Sequence, residues 1–101
     1  MIDSKYEAAL AKAFRDVHGC EATHIQTVPV VEVWNRKTVW EGDVEVFDLT
    51  GHPKATRGFA WAYDKRKKTE IVAMLELPPV ISPRTAVATS IVGMLRAQAR
   101  G

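Results

Sequence analysis

The chain of 101 residues has one cysteine, three histidines, little excess charge of either sign and no uncharged apolar run long enough to cross a bilayer as a helix. Each scarcity excludes something. A lone thiol, Cys20, removes intramolecular disulfides and multi-cysteine zinc or iron-sulfur sites, and points to a reducing compartment, with the cytoplasm as the expected location. Its place after a helix C-terminus, where the dipole disfavours a thiolate, argues against a nucleophilic role. The opening Met1-Ile2-Asp3-Ser4-Lys5-Tyr6-Glu7 brings acids early and no apolar stretch, so neither a secretory signal nor a transit peptide is expected. With 14 Lys+Arg against 12 Asp+Glu, the net charge of +2 is a weak field for gathering nucleic acid or anionic lipid. His18, His24 and His52 show no HxH, HxxxH or His/carboxylate spacing on one helix face, so neither a metal nor another cofactor is expected.

What remains is the composition of an ordinary folded domain, 47% hydrophobic and 26% charged, with room for one core. The expectation is a single domain over residues 1–101. Asp3 or Ser4 can cap a first helix running to about His18, with Glu7 three residues after Ser4 as in a capping box. Tyr6, Leu10, Ala13, Phe14 and Val17 form its apolar stripe, and Gly19 supplies the left-handed end. A β-branched run from Ala22 to Trp34 follows, and Pro29 within it marks an edge strand or a bulge.

After the turn Asn35-Arg36-Lys37, a second strand spans Thr38 to Leu49. Trp40, Val44 and Val46 occupy one phase and Glu41, Asp43 and Glu45 the other. The phase changes at Phe47-Asp48-Leu49, as at a bulge or strand end. Gly51-His52-Pro53-Lys54 turns the chain into a third strand with Arg57, Phe59, Trp61 and Tyr63 on one face. The small residues Thr56, Gly58, Ala60 and Ala62 lie on the other, where something can pack closely. Asp64 to Lys68 reads as a charged hairpin loop before a fourth strand, Thr69 to Leu77. Pro78-Pro79 ends the sheet, and Ser82-Pro83 opens a second helix with Val87, Ile91, Met94, Leu95 and Gln98 as its stripe. The order α-β-β-β-β-α with short connections predicts an α+β fold, a four-stranded antiparallel meander with both helices packed on the sheet. Both helices on one face would leave apolar residues exposed on the other, a surface suited to self-association.

Asp48 lies four residues before His52 across a turn and can orient its ring, although both residue types also suit turns for their own reasons. No nucleophile stands beside them, so no catalytic residue is assigned. Glu41, Asp43 and Glu45 repeat about every 7 Å along a strand, a spacing that suits acid/base chemistry or, more simply, a solvated face paired with bases such as Arg57. Lys65, Arg66, Lys67 and Lys68 are the basic cluster. They would share one end of the meander with Arg36 and Lys37, but not with Lys54. Solubility and edge protection explain them more simply than nucleic-acid binding. Trp40, Trp61 and Tyr63, with Asp48 and His52, are the candidates for lining a ligand pocket, against the alternative of core packing shared with Trp34, Phe47 and Phe59.

The run from Val39 to Ala55, with Phe59-Ala60-Trp61 and the downstream stretch Leu77-Pro78-Pro79-Val80-Ile81-Ser82-Pro83, resembles small bacterial proteins of unassigned activity, some carried on mobile gene cassettes of integrons. The likeness spans roughly residues 25–92 and implies a bacterial, cytoplasmic setting with no site residue to carry over. The expected function is a non-enzymatic homo-oligomeric interaction module. The alternative is a small-molecule binder or small enzyme with an aromatic-lined pocket between sheet and helices.

Overall fold

A computed structural model describes residues 2–100 of the chain, except for the side chains of Lys65 and residues 94–100. Helix α1 spans Ser4–His18. Asp3 caps it, its Oδ1 accepting from the amides of Lys5 at 2.8 Å and Tyr6 at 3.2 Å. The expected capping box does not form, because Asp3 is the cap and Ser4 is already helical, and the Glu7 side chain lies beside His24. At the other end Gly19 adopts the left-handed region at φ 66° and its amide donates to the Arg15 carbonyl. Four strands follow, β1 Glu21–Trp34, β2 Lys37–Thr50, β3 Arg57–Lys65 and β4 Lys68–Leu75, then helix α2, Pro83–Arg100. The start of α2 is fixed reciprocally. Ser82 N–H donates to Thr85 Oγ1 at 2.8 Å, and Thr85 N–H donates to Ser82 Oγ at 3.2 Å.

The sheet is an antiparallel meander in the order β1-β2-β3-β4, as the short connections predict. Pro29 sits on the edge strand in regular register with Asp43, and the register shifts lie on either side of it, at His24/Gln26 and Glu32/Val33. The tips of both hairpins are two-residue turns with both central residues at positive φ, Asn35-Arg36 and Arg66-Lys67. That mirror-image turn matches the twist of the strands it joins.

The helices cover opposite faces, and the alternative in which both share one face and leave the other bare is not adopted. Leu10 and Phe14 of α1 pack with Cys20, Phe47, Leu49, Ala55 and Ala60. Val80, Ala86 and Val87 pack with Val30, Val44, Val46, Phe59 and Trp61 on the other side. The small residues of β3 are where α1 comes close. A Cβ on Gly58 would lie 2.5 Å from Phe14 Cε1, so the ring needs the bare glycine beneath it. This arrangement also explains the phase change in β2. Residues 44–47 are all buried because both faces are covered there, and Phe47 and Leu49 lie under α1 in unbroken alternation. No bulge is required in β2 at that point, where the extra residue is Ile25 in β1; the extra residue of β2 itself is Val39, opposite the Glu32–Val33 step. Val17, expected on the α1 stripe, is 69% exposed, since it lies a turn beyond Phe14 on the rim of the contact. In α2, Val87 is buried and Ile91 partly so, while Met94, Leu95 and Gln98 lie outside the described side chains.

The sheet is zipped at one end and forked at the other. β1 pairs with β2 over nearly its whole length, and β3 with β4 likewise. Between β2 and β3 the register runs only from Glu45↔Ala60 to Asp48↔Arg57. Beyond it, 37–44 pairs only with β1 and 61–65 only with β4, so two hairpin arms part from a common base.

Candidate functional site: a cleft in the fork of the sheet

Parting two strands leaves backbone groups without their ladder partners. Ala62, two residues past the last β2–β3 pair, donates its amide to the Tyr6 hydroxyl at 2.9 Å. Tyr6 thus stands in the fork as a substitute for the absent strand and ties the first turn of α1 to β3. Around it lies a cleft of about 490 Å³, lined by Ile2, Asp3 and Tyr6 from the start of α1, Thr27 from β1, Trp40 to Asp43 and Glu45 from β2, and Ala62 and Tyr63 from β3. The volume falls within the range of small-molecule sites.

Glu45 forms the floor. It is only 4% exposed, the one charged side chain among the buried residues described. Its Oε1 accepts from His24 Nε2–H at 2.8 Å and from the Thr27 hydroxyl. Two donors compensate a carboxylate withdrawn from water, as burial of such a group demands. Nδ1 of His24 lies 3.6 Å from Glu7 Oε1 on α1, and the imidazole edge packs on Phe47 at a centroid separation of 5.4 Å. A structural glutamate therefore joins β1, β2 and α1. The expected solvated or Arg57-paired face applies to Glu41 and Asp43, which are exposed, but not to Glu45. Among the described residues Arg57 makes no ion pair with any of the three.

Burial pushes the Tyr6 phenol above its ordinary range, and the negative charges of Glu45 and Asp43 push it further. The Ala62 amide, which favours the phenolate, acts the other way and does not prevail. Cys20 is buried, and desolvation raises its thiol above the ordinary range, in keeping with an unreactive packing residue.

Of the residues expected to line a ligand site, the fold brings Trp40 and Tyr63 to the cleft. Trp61 supports Trp40 from the core, edge to face at 5.9 Å, and is itself buried. Asp48 and His52 lie at the zipped end of β2 and in the turn beyond it, away from the fork. There His52 Nδ1 accepts from the amides of Lys54 at 3.1 Å and Ala55 at 2.9 Å, the turn-forming role that suits its position before Pro53. No hydrogen bond joins it to Asp48 among the described residues. Arg66, Lys67 and Lys68 are exposed at the tip of the β3–β4 arm, and the side chain of Lys65 lies outside the described residues. Arg36 and Lys37 share that end of the meander but sit on the other arm.

His24, Thr27 and Tyr6 have roles that their sequence positions conceal. In a regular strand, residues three apart face opposite ways. His24 and Thr27 meet the same carboxylate only because Ile25 is an extra residue opposite the Val46–Phe47 step. The chain matches no family model, no curated protein and no solved structure.

Proposed function

We propose that this protein is a non-enzymatic interaction module of the bacterial cytoplasm that self-associates through the β1–β2 arm. The observation that carries this reading is the uncovered apolar surface of that arm. On one side Val28, Val30 and Trp40 join the core beneath α2, and Arg84 at the start of α2 reaches Glu32 at 3.4 Å. Val31, Val33, Trp34 and Val39 stay exposed, Trp34 at 62%, beside a long edge strand whose outer side is unpaired. Exposed apolar side chains beside free edge amides are the surface that a second copy can cover and pair with. The cytoplasmic setting is supported by the lone buried Cys20, which a reducing compartment preserves as a thiol. In size-exclusion chromatography with light scattering at micromolar concentration, the protein should run as a dimer or larger. Replacing Val31 and Val33 together by lysine should return it to a monomer with an unchanged circular dichroism spectrum. A wild-type chain that is monomeric throughout would overturn the reading.

A second reading, binding of a small molecule, is favoured by the cleft, which combines ligand-sized space with aromatic and carboxylate walls. Nucleic-acid binding through the basic arm tip has less support, because Arg66, Lys67 and Lys68 form one exposed turn with no aromatic side chain interleaved.

A further inference from the structure

We propose that the fork cleft binds an organic ammonium ligand, a di- or polyamine, with one nitrogen seated on Glu45 Oε2. The inference rests on the reading of the cleft as a small-molecule site and gives that site its chemistry. The decisive observation concerns the second oxygen of Glu45. Both donors that satisfy this buried residue, His24 Nε2–H and the Thr27 hydroxyl, converge on Oε1, and no described hydrogen bond reaches Oε2. No fully buried polar side-chain atom lacks a partner among the described residues, so Oε2 retains a path to solvent. Glu45 lines the cleft, which we take as the opening of Oε2. A carboxylate that is almost wholly buried, held on one oxygen and open on the other, is a preorganised acceptor for a cationic N–H donor.

The rest of the lining fits the same ligand. Asp3, Glu41 and Asp43 add carboxylates, and no lysine, arginine or histidine lines the cleft among the described residues. Glu41 and Asp43 precede Glu45 at alternate strand positions, so successive charges are about 7 Å apart, a spacing for an extended cation and not a compact one. In keeping with that spread, no three His, Cys, Asp or Glu side chains among the described residues gather closely enough to hold a metal ion. Trp40 and Tyr63 supply aromatic surface on which ammonium groups and the methylenes between them can rest. Burial is the main reason the Tyr6 phenol is raised, and the smaller contributions of the Glu45 and Asp43 carboxylates to that rise are of the sign that favours a cation in the same space.

The test is titration of the ¹⁵N-labelled protein with spermidine and putrescine, followed by NMR. Matched arms use 1,4-butanediol, butyrate and calcium chloride. The two amines should shift the amide signals of Thr27, Gly42, Asp43 and Ala62, with spermidine the tighter. Glu45→Gln and Asp43→Asn should each weaken spermidine about tenfold or more, the loss expected when a hydrogen bond to a charged group is removed. Glu70→Gln, on the exposed part of β4, should leave it unchanged. Asp43 is exposed, so its variant stays informative even if Glu45→Gln is poorly folded. Equal weakening by Glu70→Gln would reduce binding to general surface attraction and overturn the proposal. Shifts at the same amides with butanediol or butyrate, but not with amines, would overturn the cation assignment while keeping the cleft as a site. Silence of those amides in every arm would overturn both.

Discussion

The two ends of this sheet solve one problem, how to satisfy a backbone and bury its side chains, in different ways. At the zipped end β2 and β3 pair directly, and α1 lies so close that Gly58 has room for nothing more than hydrogen beneath Phe14. At the forked end the ladder has parted. A single hydroxyl, Tyr6, stands in for a strand and a single carboxylate, Glu45, stitches α1, β1 and β2 around a space. Stability concentrates where packing is dense, and chemistry becomes available where it is not.

The largest test of this contrast is Phe14→Ala. Removing a fully buried ring from the zipped end should cost about 3–5 kcal/mol in urea unfolding. Val33→Ala on the forked arm, measured at a concentration dilute enough for the single chain, should stay within about 0.5 kcal/mol, because that side chain is half exposed there. Comparable losses at the two sites would erase the distinction. A smaller test compares two glycines. Gly58→Ala forces a methyl into the Phe14 ring and the Met74 carbonyl, which should cost about 1–3 kcal/mol. Gly42→Ala on the arm meets only the outer ring atoms of Trp40, nearest at 3.0 Å, and should cost less because that ring end can shift.

The zipped end was legible in the sequence and the forked end was not. Alternation of large and small residues along β3 predicted a face for close packing, and α1 lies on it. Caps, turns and prolines placed all six elements within a few residues, because each acts through local backbone chemistry. The side on which each helix lies is a long-range matter. Its one visible trace is the phase change at Phe47-Asp48-Leu49, which reads as a bulge or strand end but follows from burial of residues 44–47 on both faces. The fork left no trace at all, since it depends on where β2 and β3 stop pairing. Trp40 and Tyr63 are legible as aromatics on strands, whereas Asp48 and His52 are near each other along the chain but lie away from the fork, His52 serving the far turn. His24 was hidden by the extra residue at Ile25.

Tyr6→Phe probes the fork itself at intermediate cost. It removes the acceptor of the Ala62 amide and should destabilise by about 1–2 kcal/mol. The pH dependence follows from the raised phenol. A group whose folded pKa lies above its unfolded value contributes stability that is present below the unfolded pKa, about 10 for tyrosine, and is lost as pH rises through the folded one. Wild-type stability should therefore fall more steeply than that of Tyr6→Phe as pH rises above about 10, measured by urea unfolding at successive pH values. Parallel curves would mean that the phenol is not held neutral by the fork.

The smallest effect should be a gain, and it lies at the tip of the second arm. Both hairpins use turns with two residues in the left-handed region, but the first places Asn35 and Arg36 there while the second uses Arg66 and Lys67, with no asparagine. Asparagine tolerates that conformation; arginine and lysine pay a steric cost of about 1 kcal/mol each for their Cβ. Lys67→Gly should recover about that amount in urea unfolding, because glycine meets no such clash and the turn stays in register. If the backbone there were free to relax, the substitution would instead destabilise by adding unfolded-chain entropy. The sign of this one change thus decides whether the forked end is loose throughout, or is built from two rigid hairpins that part only from each other.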